Sequence, residues 1–381
     1  MDKRIYLCLA HMSGKEMGFI QEAFDTNWVV PLGPNVNAFE QDLERFVRQD
    51  KKVVALSAGT AAVHLALLAC GVGQGDEVIV QSFTFCASSH PVTYLGAKPV
   101  FVGSEKDTWN MDPVLLEEAI KERLEKTGKL PKAIIPVHLY GMPGKMDEVM
   151  EVANCYGIPV LEDSAEALGS EYKGRKCGTF GEYGVLSFNG NKMITTSGGG
   201  ALICPNEEKA KRALFYATQA REQAPHYQHE KIGYNYRMSN ICAGIGRGQM
   251  FVLDEHVTRR RAIHDLYVKL LAGVKGVKVM CQPEGGDFDS NYWLTCITVE
   301  PGVAGFTREN VRLALDADNI ESRPLWKPMH LQPVFKDAPF YGNGTSERLF
   351  EIGLCLPSGP TLTNEDIERV GQVIIRMGRK Y

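Results

Sequence analysis

A turn of small residues in the first part of the chain could bind a phosphate. Ser57-Ala58-Gly59-Thr60 lies between a predicted strand at 53–56 and a predicted helix at 60–69. Free backbone N–H groups and the positive end of the helix dipole favour a phosphate at such a point. Gly59 would let the backbone approach closely and Thr60 adds a hydroxyl donor, although the same residues also fit an ordinary turn between a strand and a helix.

Other candidate side chains follow predicted buried strands. Phe85 comes shortly after the apolar strand at 77–80, where its ring could form a flat floor for a planar ligand or pack in the core. Asp163 comes directly after the strand at 158–162. Removing a carboxylate from water is expensive, so a carboxylate at this position should have a compensating partner. Asp163 could face a protonated pyridine nitrogen, or it could cap the segment that follows.

A lysine lies in a polar, glycine-rich stretch between two predicted strands, in the sequence SFNGNKMITTSGGG at 187–200. Held there, Lys192 could lose its proton readily and attack a carbonyl carbon, whereas a loop lysine taken by itself faces solvent. Ser187, at the start of the same stretch, could reach the phosphate that Thr60 binds. The three glycines at 198–200 fit either a phosphate cradle or a tight turn.

The order of these segments favours one kind of catalyst. A phosphate turn, an aromatic residue and Asp163 are followed by Lys192, 29 residues beyond that aspartate. A pyridoxal phosphate (PLP) enzyme of the aspartate aminotransferase type needs these parts in this order. The parts are a phosphate cup, a stacking ring, an acid for the pyridine nitrogen and an amine for the Schiff base.

The elements that must position these residues alternate between short apolar runs and helical patterns from residue 53 to residue 204, which is typical of βαβ units. We therefore predict an α/β fold with a mixed, mostly parallel sheet, helices on both faces and a ligand at the carboxyl ends of the strands. The pattern changes near residue 250, where a long charged helix begins and Arg259-Arg260-Arg261 is predicted to be a solvated face. We predict a large PLP-binding domain over 1–249 and a smaller α+β domain over 250–381.

The composition excludes several classes of function. The 46 acidic and 42 basic residues are too balanced to suggest nucleic acid or an anionic membrane as the partner. No apolar stretch is long enough to span a bilayer, and the run at 5–10 is too short for a secretory signal. None of the ten cysteines forms a CxxC pair, so we predict no metal site and expect free thiols in a reducing cytoplasm.

The sequence resembles the DegT/DnrJ/StrS family of nucleotide-sugar aminotransferases over essentially its whole length. The resemblance is carried by EDSAEALGS at 162–170, GTFGEYG at 178–184, SFNGNKMITTSGGG at 187–200 and GYNYRMSN at 233–240. It is especially close to the branch that makes UDP-4-amino-4,6-dideoxy-N-acetylglucosamine, through FNGNK, ATQAREQAPHYQHE at 217–230 and RPLWKPMHLQPVF at 323–335. It implies PLP as the cofactor and fold type I of the PLP-dependent transferases.

The resemblance implies a role for each matching position. Lys192 matches the lysine that forms the Schiff base, Asp163 matches the partner of the pyridine nitrogen, and Phe85 matches the stacking aromatic. The residues implied to bind the rest of the cofactor are Gly59, Thr60, Ser187 and Asn189. Glu166 stands where many relatives have a glutamine that touches the 3-oxygen of the cofactor, and its carboxylate would repel that phenolate unless it were protonated or displaced.

The resemblance also implies an assembly. Asn235, in GYNYRMSN, matches an asparagine that reaches the cofactor phosphate of the neighbouring subunit. A homodimer with shared active sites follows from this match.

The implied reaction takes an amino group from L-glutamate to C4 of a UDP-linked 4-keto-6-deoxy-N-acetylhexosamine, for bacterial glycan or glycoprotein biosynthesis. The candidates for holding the sugar nucleotide are Tyr227, Arg237, Trp326 and His330, each of which also fits a structural role. Related acceptors stay open, namely a dTDP- or GDP-linked keto sugar or amination at C3. A PLP sugar dehydratase would carry histidine in place of Lys192, and a non-catalytic sugar sensor would carry an added DNA-binding module.

Overall fold

The computed structural model of the protein describes residues 3–379. The helices of this part of the chain are α1 Glu16–Asp25, α2 Pro34–Val47, α3 Gly59–Ala69, α4 His90–Tyr94, α5 Pro113–Thr127, α6 Met146–Tyr156, α7 Glu207–Ala217, α8 Asn240–Met250, α9 Leu253–Leu271, α10 Pro301–Ala304, α11 Arg308–Ala317, α12 Thr345–Ile352 and α13 Asn364–Gly378. The strands are β1 Lys52–Leu56, β2 Glu77–Gln81, β3 Lys98–Val102, β4 Ala133–Ile135, β5 Leu161–Asp163, β6 Glu171–Tyr172, β7 Arg175–Lys176, β8 Tyr183–Ser187, β9 Gly200–Cys204, β10 Val277–Val279, β11 Phe288–Asp289, β12 Thr295–Val299, β13 Arg323–Pro324, β14 Phe340–Tyr341 and β15 Gly353–Leu356.

The main sheet has the strand order β1-β9-β8-β5-β4-β2-β3-β14. Two four-stranded ladders meet at its centre, where Ile134 pairs with Val160 and Val137 pairs with Asp163, both in parallel. All neighbours in this sheet are parallel except β9, which runs antiparallel to both β1 and β8. The prediction of a mixed, mostly parallel sheet is therefore confirmed.

Alternate residues of the central strands pack into different apolar clusters, because both faces of the sheet are covered. On β2, Val78 and Val80 pack in the cluster that α3 supplies with apolar side chains. Ile79, which lies between them, packs in a cluster with residues of α5 and α6. The helices thus lie on both faces, and the strand ends are left free to carry polar groups.

A separate apolar cluster, called the second core below, is built mainly from the later part of the chain. The sheet β10-β12-β15-β13 packs with α9, α11 and α13. Ile5 also belongs to this core and pairs in parallel with Ile320. The division into domains at 1–249 and 250–381 stays a prediction, and its outer bounds include terminal residues outside 3–379.

Helix α9 connects the main sheet to the second core. Its residues Leu253 and Val257 pack with α2 and β1 beside the main sheet, whereas Ile263 and Tyr267 pack in the second core. Arg260 lies between these two groups and is fully buried. The prediction that Arg259-Arg260-Arg261 forms a solvated face is therefore wrong for its central residue, because Arg260 lies on the buried face of the helix. No helix within residues 3–379 combines the length and the apolar character that crossing a membrane requires.

Candidate active site

A cavity of about 730 Å³ opens at the carboxyl ends of β1, β2, β5 and β8. It lies where these parallel strands end, next to residues of the second core such as Trp293 and Arg323. The predicted site residues that line it are Gly59, Thr60, Phe85, Asp163, Glu166, Ser187, Asn189, Lys192 and Trp326. The structure thus brings most of the predicted positions together, although they come from five separate stretches of sequence.

The small-residue turn is shaped by close contact with the neighbouring strands. Helix α3 begins at Gly59, and no side chain caps its first turn. A Cβ atom on Gly59 would lie 3.2 Å from the Cβ of Ser187, and one on Gly200 would lie 2.3 Å from the backbone nitrogen of Gly59. Glycine at these two positions lets β8 and β9 press against the helix start, where the N–H groups of the first turn and the hydroxyls of Thr60 and Ser187 can hold a phosphate.

Asp163 is a buried carboxylate whose partners are neutral. Its Oδ2 accepts a hydrogen bond from the Ser88 hydroxyl at 2.6 Å, and its Oδ1 accepts one from the backbone N–H of Ala165 at 3.1 Å. The hydroxyls of Ser88 and Thr84 lie 2.8 Å apart, so Thr84 supports Ser88 in turn. These donors supply no positive charge, which leaves the carboxylate suited to a cationic ligand nitrogen.

Lys192 reaches a second buried carboxyl group. Its Nζ lies 3.4 Å from Oε1 of Glu166 and 4.0 Å from the centre of the Trp293 ring. The other oxygen of Glu166 accepts a hydrogen bond from the backbone N–H of Tyr140 at 2.6 Å. Burial raises the pKa of Glu166 to about 7, against the opposing effect of the nearby Lys192 charge. Near neutral pH this carboxyl group therefore exists in both protonation states.

Aromatic rings form one wall of the cavity. The ring of Phe85 is half exposed, and its centre lies 5.4 Å from that of Trp326. Trp326 in turn lies 5.1 Å from the ring of Tyr140 and donates its backbone N–H to the Tyr140 hydroxyl. A planar ligand ring beside Phe85 and a second ring beside Trp326 would both find apolar surface here.

Four of the predicted site residues do not line the cavity of their own chain. Arg237 forms an ion pair with Glu40 and donates to the carbonyl of Ala55 at 3.1 Å, which ties α2 to β1. His330 stacks on Phe340 with ring centres 3.5 Å apart. Tyr227 and Asn235 are exposed. Binding of substrate by Tyr227, Arg237 and His330, and of cofactor by Asn235, stays a prediction.

Several residues of the site were not found by reasoning from the sequence. Ser88 follows Thr84 by four residues, and this spacing on a helical turn was its only signal. Trp293 comes from a distant segment and has no local pattern that indicates a site. The segment at 6–9 also lines the cavity, although in the sequence it is only a short apolar run.

The donor set of the cavity fits PLP. The uncapped start of α3 suits a phosphate, the Asp163 carboxylate with its neutral partners suits a protonated ring nitrogen, and the Lys192 amine suits an aldehyde carbon. Phe85 can cover one face of the ring. No part of this set requires a metal ion.

Comparison with known proteins supports the same chemistry. A model of the DegT/DnrJ/EryC1/StrS aminotransferase family matches residues 11–375. The chain is 49% identical to EpsN of Bacillus subtilis (strain 168), whose name describes a pyridoxal phosphate-dependent aminotransferase, with 99% of this chain and 96% of that protein covered. It is 37% identical to GDP-perosamine synthase of Escherichia coli O157:H7, with 93% of each chain covered. The crystal structure of a DegT/DnrJ/EryC1/StrS aminotransferase from Brucella abortus superposes with a TM-score of 0.89 at 30% identity, over 96% of this chain and 95% of that one.

The raised pKa of Glu166 predicts a pH-dependent stability of the cofactor-free protein. An unfolded chain loses the Glu166 proton near pH 4.5, whereas the folded chain keeps it up to about pH 7. Stability is therefore lost as pH rises through this window, by up to about 3 kcal/mol. We expect urea denaturation between pH 4 and 8 to show this loss in the wild type and not in Glu166→Gln. The exposed Glu208→Gln serves as the control, and parallel curves for the wild type and Glu166→Gln would contradict the assignment.

Proposed function

The chain belongs to the DegT/DnrJ/EryC1/StrS aminotransferase family, and on that premise we propose a specific reaction for it. As a PLP-dependent aminotransferase that acts on nucleotide sugars, it transfers the amino group of L-glutamate to C4 of a UDP-linked 4-keto-6-deoxy-N-acetylhexosamine. The observation that carries the proposal of amino transfer is that the Lys192 amine, the Asp163 carboxylate and the uncapped start of α3 share one cavity. The acceptor rests on the stretches FNGNK, HYQHE and LWKPMHLQP.

Each buried group of the site has a part in this reaction. PLP, when bound, carries the amino group between the two substrates and takes up the electron pair left when a substrate carbon loses its proton. Asp163, which accepts a hydrogen bond from Ser88, would hold the proton on the ring nitrogen of the cofactor. Lys192 Nζ would remove the proton from the substrate carbon and return it to the reacting carbon of the cofactor, and for this the nitrogen must be an unprotonated amine. Glu166, whose Oε1 lies 3.4 Å from Lys192 Nζ, can accept the extra proton of the lysine ammonium group.

The shape of the site supports a long substrate. A smaller cavity of about 340 Å³ adjoins the main one and shares Thr84, Phe85 and Trp326 with it. Lys327 lines this smaller cavity, and Arg323 lines the main one with its side chain two-thirds exposed. A sugar beside Lys192 would thus have apolar rings and cations beyond it, where a nucleotide and its diphosphate can lie.

We also propose that the protein is a homodimer in which Asn235 completes the partner's site. Asn235 is exposed and does not line the cavity of its own chain. We expect sedimentation at micromolar concentration to give a dimer, and an active monomer would contradict the proposal. If the sites are shared, inactive Lys192→Ala chains mixed with weakened Asn235→Ala chains should regain activity, because one site of each mixed dimer is then intact. Sites that are not shared give no such recovery.

Lys192→Ala is expected to lower turnover by at least about 10²-fold without unfolding the protein. The lysine lies in the connection between β8 and β9, and the residues that anchor this connection in the core are Met193 and Ile194. Treatment with borohydride should fix the cofactor covalently to the wild type and not to the variant. Lys211→Ala, on the exposed face of α7, is the control. A variant that still binds PLP covalently would show that Lys192 is not the nucleophile.

The acceptor is tested by offering the enzyme, with PLP and L-glutamate, UDP-, dTDP- and GDP-linked sugars that carry a ketone at C3 or C4. We expect amination at C4 of the UDP-linked 6-deoxy-N-acetyl sugar, identified by NMR of the product. The similarity to GDP-perosamine synthase makes the GDP-linked sugar the strongest competitor. Preference for another nucleotide or for C3 would overturn the acceptor and leave amino transfer standing. Binding of PLP without any amino transfer would favour the sugar sensor.

A further inference from the structure

Arg260 is a buried cation that lies beside Lys192. The reaction described above gives this arginine no role. It lies on α9 between the part that packs beside the main sheet and the part that packs in the second core. Its side chain is fully buried. Among the residues that the structure describes, no carboxylate lies within 4.0 Å of its guanidinium group. Since burying an unpaired charge is expensive, the position of this arginine calls for an explanation.

The guanidinium group binds backbone carbonyls instead. Nη1 donates to the carbonyl of Trp293 and, at 3.2 Å, to that of Ser358. Nη2 lies 3.4 Å from the carbonyl oxygen of Lys192 and 3.2 Å from Sγ of Cys8. One planar group therefore touches three parts of the cavity wall: the lysine connection, the Trp293 segment and the N-terminal segment.

Two further contacts close this arrangement around the lysine. The thiol of Cys8 and the indole N–H of Trp293 both donate to the carbonyl of Asn191, at 3.0 Å and 2.7 Å. The backbone carbonyl of Lys192 is thus bound by Arg260, while that of its neighbour Asn191 is bound by Cys8 and Trp293. The Trp293 ring that these bonds orient is the ring over which the Lys192 amine lies at 4.0 Å.

We propose that Arg260 is a positioning residue for amino transfer, which fixes the backbone of Lys192 and the indole of Trp293 relative to each other. The inference rests on the proposed role of Lys192 as the nucleophile. The rigid fork of a guanidinium can bind several carbonyls at fixed angles, which the single nitrogen of lysine does not do. The donors on the two terminal nitrogens, rather than the charge alone, therefore explain why an arginine stands here.

The test compares Arg260→Met and Arg260→Lys with the wild type. The first readout is the rate at which PLP, added to the cofactor-free protein, becomes covalently fixable by borohydride. The second is the split between kcat and KM for L-glutamate. Because small misplacements of a reacting group slow the chemistry steeply, we expect both variants to lose about 10- to 100-fold in the linking rate and in kcat, with KM changed less than about threefold.

Arg259→Met is the matched control, since Arg259 precedes Arg260 on the same helix and binds Asn364 and the carbonyl of Leu362 instead. It should keep the wild-type linking rate. A wild-type linking rate in Arg260→Lys would overturn the proposal, because it would show that the charge suffices. A folded Arg260→Met with an unchanged linking rate would overturn it as well, and if that variant does not fold, Arg260→Lys decides alone.

Different results would contradict the role of Arg260 and the proposed function. If Lys192→Ala still links to PLP, the role of Lys192 is wrong and the Arg260 proposal falls with it. If Lys192→Ala loses the link while Arg260→Lys keeps the full rate, only the positioning role of Arg260 is wrong.

Discussion

The site depends on keeping two carboxyl groups buried at the end of β5, three residues apart in the chain, while giving them different partners. Asp163 is held by a hydroxyl and a backbone N–H, neither of which carries a positive charge. Glu166 faces the amine of Lys192, and its burial raises its pKa to about 7. Two carboxyl groups in such different surroundings can take different parts in one reaction.

The antiparallel strand β9 is what brings the lysine to this place. Because β9 runs back beside β8, the connection that carries Lys192 starts and ends at the same edge of the sheet as Asp163. The same return presses Gly200 against the turn at Gly59, so the phosphate end and the amine end of the site are set by a single pair of strands. A wholly parallel sheet would have carried this connection across to the opposite edge.

The sequence allowed prediction of those parts of the site that follow strands in the main sheet. Asp163 and Phe85 each stand beyond a short apolar run, and the carboxyl ends of parallel strands meet at one edge. The direction of β9 could not be predicted, since an apolar run of five residues looks the same in either direction. Trp293 and Ser88 reach the site through tertiary packing, which local patterns do not encode. The prediction for Arg260 was wrong because a run of arginines on a helix is typical of a solvated face, whereas Arg260 lies on the buried face of its helix.

The two cores are interleaved along the chain, and this order constrains how the protein is made. Ile5 belongs to the second core, where it pairs with Ile320, while β14 returns from the later part of the chain to lie beside β3 in the main sheet. A growing polypeptide on the ribosome therefore exposes the open edge of β3 and an unpartnered N-terminal segment until nearly all of it has been synthesised. Contacts so distant in sequence slow folding and prolong the exposure of sheet edges to aggregation. The order of the elements thus leaves these segments unpaired for longer during synthesis than two consecutive domains would.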